Sequence, residues 1–216
     1  MINSISSASE YRPKSFNDMI GQDAIVKTLN NAIKNDNIPQ ALLFCGPRGV
    51  GKTSCARILA KTINNLEDDF EYNIFELDAA SNNSVEDIRN ITDQIRIPPQ
   101  TGRYKVYIID EVHMLSNQAF NAFLKSLEEP PEHVVFILAT TEKNKILPTI
   151  LSRCQIYDFK KVDNESIIKL LSKICKEKKV KYEDGSLSLI AERSDGSIRD
   201  SLSIFDRLVS FTDSNL

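Results

Sequence analysis

A chain of 216 residues with 41% hydrophobic and 26% charged content has the make-up of a folded globular protein, long enough for one large domain and a small one. Its net charge of −3 excludes a surface coated in basic residues, while a local basic patch stays possible. No apolar run approaches the length of a membrane span and Met1-Ile2-Asn3-Ser4 begins no signal peptide, so neither membrane insertion nor export is expected.

In chain order, residues 1–19 read as polar and irregular, with Tyr11-Arg12-Pro13 the distinctive point. Ile25, Leu29, Ala32 and Ile33 fall on one face of an amphipathic helix over 21–35. A short apolar run predicts a buried strand at 41–45, and Cys55, Ile58, Leu59, Thr62 and Ile63 recur at helical spacing after it. Leu66-Glu67-Asp68-Asp69 reads as an acidic connection to a second strand over 73–78. Val85, Ile88, Ile91 and Ile95 predict a helix stopped by Pro98-Pro99. A strand over 105–109 runs into Asp110-Glu111, and Ala119, Phe120, Phe123, Leu124 and Leu127 place a helix before Pro130-Pro131. The most apolar strand spans 134–139; a short helix near 146–151 and a strand over 155–159 follow. Strands alternating with helices imply an α/β fold, a parallel five-stranded sheet flanked by helices. From about Val162 the pattern is helical only: Ile167, Leu170, Leu171 and Ile174 mark one helix, Leu187, Leu189 and Ile190 a second, and Ile198, Leu202, Phe205 and Leu208 a third. We therefore place one domain at 1–160 and a small helical domain at 161–216. The four cysteines, Cys45, Cys55, Cys154 and Cys175, are scattered through apolar patterns, which predicts reduced core thiols and a reducing, cytoplasmic setting.

The stretch Gly46-Pro47-Arg48-Gly49-Val50-Gly51-Lys52-Thr53, followed by Ser54, fits the phosphate-loop pattern G-x-x-x-x-G-K-[ST] at every fixed position, between a strand and a helix. Glycines let backbone N–H groups turn inward around phosphates at the positive end of a helix. Lys52 would reach the outer phosphates and the Thr53 hydroxyl would hold Mg²⁺. This predicts nucleoside triphosphate binding. Ligands of such sheets bind at the carboxyl ends of the strands, where Asp110 and Thr141 also fall. Asp110 would hold Mg²⁺ through its water shell, and Glu111 would orient the attacking water. Thr140-Thr141 is placed to meet the γ-phosphate or that water; taken alone, two threonines there are turn residues. Arg153, in Ser152-Arg153-Cys154 before the last strand, is poorly placed for its own nucleotide and suits the γ-phosphate of a neighbour; read alone it is a surface salt bridge. Arg199, at the start of the last helix, is either a γ-phosphate sensor on the small domain or a solvated arginine. His113 and His133 read as surface or packing histidines and receive no role.

Taken together, these residues resemble the AAA+ superfamily, and within it the clamp-loader ATPases of the bacterial DNA polymerase III gamma/tau type. The resemblance is carried by Tyr11-Arg12-Pro13 with Ile20-Gly21-Gln22, by Gly46 to Thr53, by Glu76-Leu77-Asp78-Ala79-Ala80-Ser81, by Asp110-Glu111-Val112-His113-Met114-Leu115 and by Ser152-Arg153-Cys154. The run Phe123-Leu124-Lys125-Ser126-Leu127-Glu128-Glu129-Pro130-Pro131 and the segment Gly196-Ser197-Ile198-Arg199-Asp200 add to it. It implies that Tyr11, Arg12 and Pro13, with Ile20 and Gly21, frame the adenine of ATP. It implies Thr141 as first sensor, Arg199 as second sensor on a helical lid, and Arg153 as a finger acting in trans. It also implies the partners: other clamp-loader subunits, the ring-shaped sliding clamp, and primer–template DNA gripped by its backbone.

Two departures from the family pattern stand out. Relatives usually carry a four-cysteine zinc module after the phosphate-loop helix; here residues 64–73 are short and without cysteine, so no zinc is expected. The chain also ends at Leu216, where the lid should end and a collar domain should follow, so a fragment that is monomeric or weakly associating is expected. For DNA, Asn82-Asn83-Ser84 at a helix start and Arg89 are candidate phosphate contacts, with helix capping as the plainer reading. Three alternatives stay open: a module that holds ATP structurally, a scaffold subunit without hydrolysis, and another AAA+ machine of the branch-migration or initiator type.

Overall fold

The computed structural model describes residues 6–65 and 73–212. The acidic connection Leu66-Glu67-Asp68-Asp69 lies outside the described residues. Among those described, five strands form one parallel sheet: β1 (Ala41–Cys45), β2 (Ile74–Asp78), β3 (Lys105–Asp110), β4 (Val134–Thr140) and β5 (Gln155–Asp158). Their spatial order is β2-β3-β4-β1-β5. The register sets Cys45 opposite Thr140 and Asp78 opposite Asp110, so the carboxyl ends of β1, β3 and β4 finish side by side.

Burial explains the strand sequences. β1 and β4 are buried along their whole length and are apolar almost throughout, as central strands covered on both faces must be. Alternate residues point to opposite faces. Leu43, Tyr107, Ile109, Phe136 and Leu138 turn to one face, where they join Ile88 and Ile95 of α4 (Val85–Ile95) and Phe120, Phe123 and Leu127 of α5 (Asn117–Glu128). Phe123 meets Phe136 edge-on, with ring centroids 5.1 Å apart. Leu42, Phe44, Val106, Ile108, Val135 and Ile137 fill the other face, and α3 (Lys52–Asn64) packs on β3 and β4 with Cys55, Ala56, Leu59 and Ala60 buried. Helix starts follow the capping chemistry of the sequence: Ser84 accepts the N–H of Asp87 and Ser116 that of Ala119, while α6 (Pro148–Leu151) opens on proline.

Contacts divide the chain into two compact units. The sheet unit comprises residues 24–46 and 52–159, and includes nearly all of α2 (Asp23–Lys34). The other comprises residues 1–23, 47–51 and 160–216 and is built on α7 (Asn164–Lys178), α8 (Asp184–Arg193) and α9 (Ile198–Phe211), with N-caps Asp163 on α7 and Ser197 on α9. Ile167, Leu171, Ile174, Leu187, Ile190, Leu202 and Phe205 form its core, and Ala8, Tyr11 and Ile20 pack against it. Residues 6–19 thus carry more structure than their polar sequence suggests. α1 (Ser7–Glu10) is a single turn docked on α9, where the Ser7 N–H and hydroxyl donate to Asp206 at 2.8 and 2.5 Å. A 3-10 turn, Phe16–Asp18, follows, closed by a capping box between Ser15 and Asp18. One turn has no hydrophobic period to read; tertiary contacts hold it.

Candidate nucleotide-binding and hydrolysis site

The phosphate-loop stretch runs from the end of β1 to the start of α3, as its sequence predicts. Gly46, Gly49 and Gly51 all have φ between 74° and 144°, a region L side chains avoid. At Gly46 a Cβ would strike the Phe159 carbonyl, so glycine is required by close backbone approach as well as by conformation.

Within the sheet unit, the first residues of α3 meet the ends of β1 and β3. Lys52 is 5% exposed and its ammonium donates to the Gly46 carbonyl at 2.8 Å. Burial pushes its pKa below the ordinary lysine value, opposed by the charges of Glu111 and Asp110. An anionic ligand beside Lys52 would favour its charged form further. The Thr53 hydroxyl donates to Asp110 Oδ2 at 2.7 Å. A hydroxyl and a carboxylate oxygen so paired are hard donors of the kind Mg²⁺ prefers. Ser54, next on α3, is half-buried.

Glu111 leaves β3 in the left-handed region, φ 46° and ψ 44°. Its Oε2 accepts the Thr141 N–H at 3.2 Å and the Thr141 hydroxyl at 3.0 Å. The structure thus joins Glu111 to Thr141 and Asp110 to Thr53. His113 lies beside them, and of its two expected readings, surface or packing, the structure gives the buried one. Its side chain is 5% exposed, with Nδ1 2.9 Å from Thr140 Oγ1 and 3.4 Å from Glu111 Oε2, and Nε2 3.3 Å from Glu142 Oε1. The signal was its place two residues after Glu111, but no periodicity separates a buried polar histidine from an exposed one. His133 lies apart, with Nε2 hydrogen-bonded to the Ile95 carbonyl at 3.0 Å.

Arg153 is not in this cluster. Its guanidinium donates to Glu128 Oε1 at 2.8 Å and to the Thr149 carbonyl at 2.7 Å, just before the edge strand β5. The salt bridge that the bland reading expects is therefore present. Ser84 shares a capping box with Asp87, and the Asn82 amide donates to the Asp78 carbonyl at 3.2 Å.

The helical unit gathers the remaining candidates. Tyr11 and Ile20 pack on its core. Burial, followed by a hydrogen bond with Glu177, pushes the Tyr11 hydroxyl up to about 12. Gly21 takes φ 69°, with Val162 3.2 Å from where a Cβ would stand. Pro13 follows Arg12 on the irregular stretch between α1 and the 3-10 turn. Gln22, 3% exposed, donates to the Lys160 carbonyl at 2.8 Å and to that of Val50 at 3.5 Å. Val50 is itself buried, whereas Arg48 between Pro47 and Gly49 is exposed. The Arg199 N–H donates to the Gly49 carbonyl at 3.4 Å, and Ser197 crowds the space beside Gly49.

Among the described residues, no group of three or more His, Cys, Asp or Glu is arranged to hold a metal ion, and most of the segment expected to lack the zinc module lies outside them. Cys45, Cys55 and Cys175 are buried free thiols. Cys154 is half-buried and sits in a bend rather than in a strand or helix.

A family model described as DNA polymerase III, delta subunit, matches residues 21–74 and 69–163, well over half of the chain. A second, the ATPase lid domain of the DNA polymerase III clamp loader subunit, matches residues 166–214. The chain belongs to the DNA polymerase III clamp-loader family. Among relatives of this clamp-loader chain, DNA polymerase III subunit tau of Bacillus subtilis (strain 168) is 47% identical over 219 residues, covering 94% of the chain and 39% of the relative. Subunit gamma of Buchnera aphidicola subsp. Baizongia pistaciae is 42% identical over 226 residues, covering 97% and 61%. The chain thus spans less than two thirds of the length of these curated relatives. Its fold is similar to that of the RuvB branch-migration motor of Thermotoga maritima, with TM-score 0.75, 22% identity, and 94% and 68% of the two chains covered. A gamma subunit-related protein of Thermotoga maritima matches at TM-score 0.57 and 25% identity over 69% of the chain and 52% of its own. The AAA+ phosphate-loop ATPase fold and its lid helices are therefore those the sequence predicts.

Proposed function

We propose that this chain is an ATP-binding and ATP-hydrolysing motor subunit of the DNA polymerase III clamp loader, loading the sliding clamp onto primer–template DNA. The observation that carries this reading is the cluster at the ends of β1, β3 and β4: buried Lys52, Thr53 bonded to Asp110, and Glu111 held by Thr141. A subunit that only stored ATP or served as a scaffold would need no carboxylate poised beside that lysine. Membership of the clamp-loader family favours it over a branch-migration or initiator machine, with which it shares the ATP site.

Each residue has a role in that reading. The backbone of Gly46, Pro47, Arg48, Gly49, Val50 and Gly51 encloses the phosphates, and Lys52 leaves the Gly46 carbonyl to bind the β- and γ-phosphates. Thr53 and Asp110 hold Mg²⁺, which when bound neutralises charge developing on the phosphate oxygens. Glu111 orients the attacking water, and Thr141, already bonded to it, senses the γ-phosphate. Tyr11, Arg12, Pro13, Ile20 and Gly21 frame the adenine, and Arg199 serves as the second sensor from the lid, which we place at 161–216 beyond the ATPase domain at 1–160. Arg153 acts on the nucleotide of a neighbouring subunit, leaving Glu128 to do so. Asn82, Asn83, Ser84 and Arg89 are candidate contacts to the DNA backbone, and Ser84 also caps α4.

Two variants separate binding from hydrolysis. Lys52→Ala should abolish ATP binding, measured with a fluorescent nucleotide. Glu111→Gln should keep binding while turnover falls by roughly 10²- to 10⁴-fold. Full turnover by Glu111→Gln would remove Glu111 from the water-orienting role.

A further inference from the structure

Glu111 must present its carboxylate to a water with sub-ångström accuracy, yet it stands on a single left-handed residue just beyond β3. Two residues from elsewhere along the site brace it. Thr141 grips Oε2 with its N–H and its hydroxyl. The second brace is His113, on the 3-10 turn Val112–Met114 that follows Glu111. Its ring is 5% exposed and polar at both ends. Nδ1 lies 2.9 Å from Thr140 Oγ1 and 3.4 Å from the same Glu111 oxygen, and Nε2 lies 3.3 Å from Glu142 Oε1. Thr140 Oγ1 also accepts the Glu142 N–H at 3.0 Å. The ring therefore spans from the water-orienting carboxylate to the segment that carries Thr141.

We propose that His113 is a positioning residue for ATP hydrolysis, tying the Glu111 carboxylate to Thr140 and Glu142 so that the water-directing oxygen holds one place. This rests on the reading of Glu111 as the water-orienting group. Carboxylate oxygens only accept, so the ring's hold on Glu111 runs through a proton on Nδ1, shared between Glu111 Oε2 and Thr140 Oγ1, and its hold on Glu142 through a proton on Nε2. Without the ring, Glu111 keeps Thr141 but loses its second neighbour at the same oxygen, Oε2. Its carboxylate then swings on a turn that has no helix or strand to stiffen it.

The test uses the full-length protein assembled with its partner subunits, clamp and primed DNA. Turnover at saturating ATP, affinity for a fluorescent ATP analogue and the thermal midpoint are measured for His113→Ala, His113→Phe, His113→Asn and Glu111→Gln. An Asn amide puts a polar atom near the position of Nδ1, whereas Phe fills the space without one. Ala and Phe should lower kcat by roughly ten- to hundredfold, the effect of a misplacement near 1 Å, with nucleotide affinity and thermal midpoint close to wild type. Asn should recover much of the loss. Wild-type turnover by Ala and Phe, with Glu111→Gln inactive, would overturn the role of His113 alone. So would parallel loss of affinity, stability and turnover with no rescue by Asn, which is the pattern of a structural residue. Full activity in Glu111→Gln would instead remove the reading of Glu111, and the proposal with it.

Discussion

At the scale of single residues, the site is a set of short polar contacts whose partners come from distant parts of the chain. Thr53 and Asp110 lie 57 positions apart and meet at 2.7 Å. Changing Asp110 to Asn or Thr53 to Ala removes one hard oxygen donor, so the Mg²⁺ concentration for half-maximal turnover should rise by at least tenfold, a loss of about 1.4 kcal/mol. An unchanged Mg²⁺ requirement would place the metal elsewhere. The thiols make a separate prediction. Burial pushes Cys45 up to about 11 and Cys55 up to about 12. Thiolate is the reactive form and these groups ionise only well above neutrality, so at pH 8 both should resist a thiol reagent until the protein unfolds. Rapid labelling of the folded protein would contradict their burial. The meeting of Lys52, Thr53, Asp110 and Glu111 at the ends of β1 and β3 was legible in the sequence because a phosphate loop and an acid pair have fixed spacing. His113 was not. What distinguishes it is burial between Thr140 and Glu142, a tertiary fact that appears only once β3 and β4 lie side by side. The left-handed backbone at Glu111 was equally hidden, since glutamate carries no preference for it.

At the scale of elements, most strands and helices follow from apolar runs and periodicity, and the misses are short. α1 has one turn, too few residues for a period, and is held by Asp206 and Lys178 rather than by its own sequence. Sheet order was also not legible. Alternation predicts parallel strands, but only packing puts β1 between β4 and β5, which brings Cys45 beside Thr140. Two variants test the elements directly. Ser84→Ala removes the side-chain acceptor of the α4 capping box and should cost about 1 kcal/mol, read from chemical denaturation. Phe123→Ala empties a fully buried site against Phe136 and should cost about 3–5 kcal/mol. A Phe123→Ala protein as stable as wild type would mean that α5 does not pack on the sheet as described.

At the scale of the whole molecule, the sheet unit holds Lys52, Thr53, Asp110, Glu111 and Thr141, and also Arg153, which bonds to Glu128 and Thr149 rather than to those acids. On the proposed function, Arg153 serves a neighbour's nucleotide, so a lone chain would lack the cation that a trans finger adds. In clamp-loader terms, hydrolysis should be slow until a neighbour is in place. Arg153→Ala should leave ATP binding intact while reducing turnover of the assembly by roughly 10³-fold or more. The most direct measurement is ATP turnover by this chain alone and then with full-length partner subunits, clamp and primed DNA. A clamp-loader motor predicts weak turnover alone and a many-fold rise in the mixture. Equal turnover in both would contradict it and describe a self-sufficient ATPase instead.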